Sequence, residues 1–129
     1  MKPVVCAIVI AAALSACGTL GERRLSRSPE MTSAEGRVRF RTIGGEDTGI
    51  DLRVRHLSEP DGLMRPGYAY VAWVRQDETD APRNVGALGL DGQLRTTAPL
   101  RRFELFVTAE ATSDASEPTG EPLLWASRE

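Results

Sequence analysis

Cys6 and Cys17 are the only thiols in the chain, and His56 is the only imidazole. A thiol at position 17 can serve as a disulfide partner, a nucleophile, a metal ligand or a lipid acceptor. His56 continues the phase of Ile50, Leu52 and Val54. It is either a base or ligand, or a half-buried residue hydrogen-bonded at a strand end. Carboxylates gather at Glu46-Asp47, Asp51, Glu59 to Asp61 and Asp77-Glu78 with Asp80. Oxygen-rich loops of that kind bind calcium in some extracellular sandwiches, but none has EF-hand spacing, and carboxylates in turns commonly cap or solvate. No Gly-x-Ser-x-Gly elbow and no glycine-rich phosphate loop is present, so the usual frames for a serine nucleophile or a bound nucleotide are missing. Arg37, Arg39 and Arg41 alternate along one segment, Arg53 and Arg55 along another. They form either a basic stripe for an anionic glycan or lipid, or charges that keep an edge strand from pairing. Phe106 falls on the polar side of its run, as a contact patch or as a residue buried by the curvature of its sheet.

The elements around these residues narrow the choices, beginning with Cys17. Lys2 supplies a positive start, and Val4 to Leu14 is an apolar run too short for a stable membrane span. Residues 1–16 therefore read as a targeting segment outside the fold. Its end, Leu14-Ser15-Ala16-Cys17, resembles the lipobox of bacterial lipoproteins: aliphatic, small, small, cysteine. The resemblance implies a diacylglycerol on the Cys17 sulfur, cleavage before it and acylation of the new amino terminus. Cys6 would leave with the signal peptide, so a disulfide framework, a structural zinc site and a Cys/His nucleophile pair all lose their minimum inventory. Gly18, where the inner-membrane retention signal has aspartate, implies transfer to the outer membrane.

The remaining chain is expected to hold one domain behind a tether. Residues 17–33 are polar and aperiodic, broken by Gly and Pro, and as a flexible coil would reach about 20 Å; Arg23, Arg24 and Arg27 within them could touch anionic head groups. From residue 34 to 129 the period is two. Gly36, Val38 and Phe40 alternate with arginines, and Ile50, Leu52 and Val54 do so after the turn Gly44-Gly45-Glu46-Asp47. Tyr68 to Val74 is apolar on both faces, as in a central strand, with Trp73 assigned to the core. Asn84 to Leu90 and Gln93 to Thr97 flank Asp91-Gly92 and predict a tight hairpin. Phe103, Leu105, Val107 and Ala109 share one face, opposite Glu104, Thr108 and Glu110. Leu123 and Trp125 mark a last short strand after the polar loop from Thr112 to Gly120. Seven short runs predict an all-β, antiparallel, two-sheet immunoglobulin-like sandwich, with a small barrel as the alternative.

The segments Tyr70-Val71-Ala72-Trp73-Val74, Asn84-Val85-Gly86-Ala87-Leu88, Phe103 to Glu110 and Glu117-Pro118-Thr119-Gly120-Glu121-Pro122 resemble, in that order, the extracytoplasmic domain of anti-sigma-K-type factors. The likeness spans roughly residues 68–127. It implies a sandwich on the outer side of a membrane. It carries over no sigma-factor inhibition, because the sigma-binding module and transmembrane helix of those regulators have no counterpart here, and no catalytic residue, because the family supplies none. The 16 basic and 18 acidic side chains leave a net charge of −2, which recruits no nucleic acid. The expectation is a non-enzymatic lipoprotein of the bacterial envelope, on the outer membrane facing the periplasm. It would need no cofactor or metal, its membrane contact would run through Cys17, and its partner would be an envelope protein. A calcium- or anionic-glycan-binding module and an extracytoplasmic regulator are the alternatives.

Overall fold

The computed structural model describes residues 22–29, 34–55 and 69–128; Cys6, Cys17, His56 and the carboxylates Glu59 and Asp61 lie outside the described residues. The described chain is all β: β1 (Glu22–Arg24), β2 (Ser26–Arg27), β3 (Glu35–Gly44), β4 (Asp47–Arg55), β5 (Ala69–Arg75), β6 (Arg83–Ala87), β7 (Gln93–Ala98), β8 (Phe103–Glu110) and β9 (Leu124–Arg128). They form two antiparallel sheets, in the orders β1-β3-β4-β7 and β2-β9-β8-β5-β6. This is the expected two-sheet sandwich, with nine strands among the described residues rather than seven.

The two added strands come from the segment expected to be tether. β1 pairs with β3 and β2 with β9, so one short stretch of chain closes an edge of both sheets. Leu25 sits at the crossing, only 4% exposed, and its N–H donates to the Gly36 carbonyl at 2.9 Å. A Cβ on Gly36 would run into the Leu25 side chain. A single leucine among arginines and serines carries no periodicity, and its burial depends on a partner eleven residues on. The sandwich therefore takes in residues ahead of Ala34, and the tether expected over 17–33 does not extend through Glu22 to Arg27.

Strict alternation makes the first sheet one-sided. Val38 and Phe40 on β3 and Ile50, Leu52 and Val54 on β4 point inward, onto Tyr70, Ala72 and Val74 of β5, Leu105 and Val107 of β8 and Leu124 of β9. Phe40 and Phe103 meet edge to face at 5.4 Å. The β3–β4 hairpin turns at Gly45 and Glu46, with Gly45 in the left-handed region at φ +56°.

One expectation is corrected. Asp91-Gly92 joins strands of different sheets, so β6 and β7 form no paired hairpin; the chain crosses the sandwich edge there and β7 pairs with β4. Gly92 is needed for another reason. Its φ is +76°, and a Cβ would strike the Val54 carbonyl, while its own carbonyl accepts from the Val54 N–H at 2.8 Å. Trp73 is fully buried in the core, as its place in a central strand predicts, in a second cluster with Val71 and Phe106 on the outward side of the second sheet.

Candidate functional site

On the outer face of the first sheet, register places the arginines in rows across neighbouring strands. One row runs Glu22, Arg39, Asp51, Arg95, alternating in sign across all four strands. Arg39 meets Glu22 at 3.1 Å and Arg95 approaches Asp51 at 3.7 Å. The adjacent row runs Arg24, Arg37, Arg53, Gln93, three cations in succession with no carboxylate between them. Strands lie ~4.8 Å apart, and like charges directly opposite destabilise a ladder. Two of the three lean to carboxylates off the row, Arg24 to Glu35 at 3.2 Å and Arg37 to Glu22 at 3.5 Å. Among the described residues Arg41, Arg53 and Arg55 are in no ion pair. A shallow cleft of about 370 Å³ on this face is bordered by Arg37, Arg39, Arg53 and Arg55, with Glu22 and Asp51 at its side.

The expectation that these arginines guard an edge is thereby corrected. β3 lies between β1 and β4, and β4 between β3 and β7, so Arg37, Arg39 and Arg53 sit on strands paired on both sides. The arrangement can hold an anion with several oxygens, because guanidinium groups donate in a planar fork matched to phosphate, sulfate or carboxylate. At the hairpin end of this face Ile43, 56% exposed, folds over Gly49 beside the Arg41 guanidinium.

The outer face of the second sheet is built differently. Val71, Trp73 and Phe106 form a second apolar cluster, packed against Ala69, Ala87 and Ala115. Phe106 is 3% exposed, which answers its position on the polar side of β8: Ala115 belongs to the loop after β8, and that loop covers the ring. Asn84 holds the loop by donating from Nδ2 to the carbonyls of Ser113 and Ala115 at 3.0 and 2.9 Å. At the other end Glu110, 2% exposed, accepts from the Thr119 hydroxyl at 2.6 Å, the Thr119 N–H at 3.1 Å and the Gly120 N–H at 3.4 Å. The Thr108 hydroxyl also donates to Glu110 and accepts from Trp73 Nε1 at 2.9 Å. Burial pushes the Glu110 carboxyl up, and these hydroxyl and amide donors together outweigh it, holding the group below the usual carboxylate range. Arg75 closes the cluster, bonded to Glu104 at 2.8 Å with its guanidinium 5.1 Å from the Phe106 ring centre.

Thr108, Glu110, Thr119 and Gly120 thus meet in one clasp. Sequence alternation assigned Glu110 to a wet face and missed its burial; the signal lay in Thr-x-Glu followed by Thr-Gly at loop distance. Of the acidic turn residues, Asp77 accepts from the side chain and N–H of Thr79, which hold its carboxyl low and close the turn. Among the described residues no three His, Cys, Asp or Glu side chains are grouped to hold a metal. An arginine-rich cleft of about 520 Å³, lined by Glu46, Gln76, Arg101, Arg102 and Arg128, lies at the β3–β4 hairpin end. No protein-family model, no curated protein and no solved structure matches the chain.

Proposed function

We propose that this chain is a lipid-anchored β-sandwich lipoprotein of the bacterial envelope that works by surface contact and not by catalysis. The observation that carries the reading is Leu14-Ser15-Ala16-Cys17 at the end of an apolar run, with four residues between Cys17 and Glu22 of β1. A lipobox at that distance puts the acylated residue immediately outside the folded domain, where a lipid can enter a bilayer without disturbing the core. The outer membrane facing the periplasm is the site that Gly18 favours. Metabolic labelling with palmitate tests the reading: label is expected in the wild-type chain and absent from Cys17→Ala, and label that persists in the variant contradicts it.

A second reading rests on the Glu110 clasp. Its residues coincide with the segments that resemble the extracytoplasmic domain of anti-sigma-K-type factors, which favours descent from such a domain and a role in relaying contact outside the membrane. Co-purification of a membrane-spanning regulator with the full chain is expected under this reading, and its absence after cross-linking contradicts it.

A further inference from the structure

The arginine-bearing outer face of the first sheet has no assigned role, and its position relative to Cys17 suggests one. We propose that this face lies on the anionic phospholipid head groups of the membrane that holds the chain, with Arg37, Arg53 and Arg55 taking phosphate oxygens and Ile43 entering the head-group boundary. The inference rests on the anchor reading, and three observations carry it.

The first is reach. Five peptide steps separate Cys17 from Glu22, and a fully extended chain covers at most ~18 Å over that distance. Glu22 itself stands on the outer face of the first sheet, opposite Arg39. A lipid on Cys17 therefore keeps this face within a domain's width of the bilayer. The second is charge. Arg53 and Arg55 lack a carboxylate partner among the described residues, and Arg37 shares Glu22 with Arg39. The cleft at the hairpin end also gathers cations, Arg101, Arg102 and Arg128 beside Glu46, but no apolar side chain is among its described lining residues. The third is the apolar residue. An exposed isoleucine beside the Arg41 guanidinium suits the boundary between head groups and acyl chains, where apolar anchoring and attraction to anionic lipid act together. A soluble anionic glycan would use the arginines and leave Ile43 idle.

The full chain, processed in cells, is purified and reconstituted into vesicles of phosphatidylcholine, with or without phosphatidylglycerol. An environment-sensitive dye is placed on Thr97→Cys, on the face, or on Thr112→Cys, in the loop over the other sheet. With phosphatidylglycerol present, the Thr97 dye is expected to shift to the blue and to be quenched by brominated lipid, and the Thr112 dye to do neither. The triple variant Arg37→Gln/Arg53→Gln/Arg55→Gln should lower the face-down population on the order of a hundredfold, at about fivefold per arginine. All three side chains are exposed, and an unchanged melting temperature shows that the fold is kept. Equal responses at the two positions, or a response indifferent to phosphatidylglycerol, overturn the inference. So does dextran sulfate binding the same arginines while phosphatidylglycerol has no effect, which would assign the face to a soluble polyanion. Intact mass separates the two failures: an acylated Cys17 with no face-down state overturns this inference alone, and an unmodified Cys17 removes the anchor reading beneath it.

Discussion

The outer faces of the two sheets share a period of two and end as opposites. On the first sheet the outward residues of β3 and β4 are charged and stay in water, arranged in rows by register. On the second, the outward residues Val71, Trp73 and Phe106 are apolar and lie under a loop that Asn84 and Glu110 hold down. The contrast teaches where each face spends its chemistry. The covered face converts polar groups into structure, since the Thr119 and Gly120 donors aimed at Glu110 fix the loop in place. The bare face leaves cations unsatisfied within the protein, and an unsatisfied cation is available to something else.

That contrast can be broken most forcefully from the covered side. Phe106→Ala removes the ring between Trp73, Arg75 and the loop, and should lower stability by about 4 kcal/mol, or roughly 20 °C in melting temperature for a domain of this size. Calorimetry checks the magnitude. Glu110→Ala leaves the Thr119 and Gly120 amides without their acceptor and should cost about 3 kcal/mol. Its Trp73 emission should move to the red, and limited proteolysis should cut between residues 111 and 120, where the wild-type chain resists.

Acid probes the same clasp more gently. The folded-state pKa of Glu110 lies below its ordinary value, so its contribution is fully present above that ordinary value, near 4.3. It is lost as pH falls through the depressed folded value. Urea midpoints measured from neutral pH downward should fall more steeply for the wild-type chain than for Glu110→Gln. The smallest effect belongs to the bare face and has the opposite sign. Arg53→Gln relieves a like-charge neighbour in Arg37, and should raise stability by about 0.3 kcal/mol, a gain that shrinks as salt is added. A loss of more than 1 kcal/mol would mean that the row is a structural element after all.

The same contrast governs how much the sequence discloses. Strands β3 and β4 are legible because one face is wet and one dry, and Val38, Phe40, Ile50, Leu52 and Val54 point where their alternation places them. β5 reads as central because both faces are apolar. The reason both are apolar, a loop covering the second face, is a long-range fact, and so Trp73 reads as core without showing which of the two clusters it joins, and Glu110 is assigned to water it does not touch. β1 and β2 are illegible for a related reason. Their polar residues face solvent from paired edge strands, and the only buried side chain between them is Leu25. Asp91-Gly92 misleads because a left-handed glycine serves a crossover between sheets as well as a hairpin. The arginines of the candidate face were visible in sequence; their cross-strand row required the register of three strand pairs.

Membrane anchoring stands on Cys17, and the mass of the amino-terminal peptide of the protein extracted from membranes tests it most directly. The predicted result is a peptide that begins at Cys17 and carries the mass of a diacylglyceryl group on its sulfur, with or without a further acyl chain on the amine. A peptide that begins upstream of Cys17, or one that begins there with a free thiol, would contradict the account.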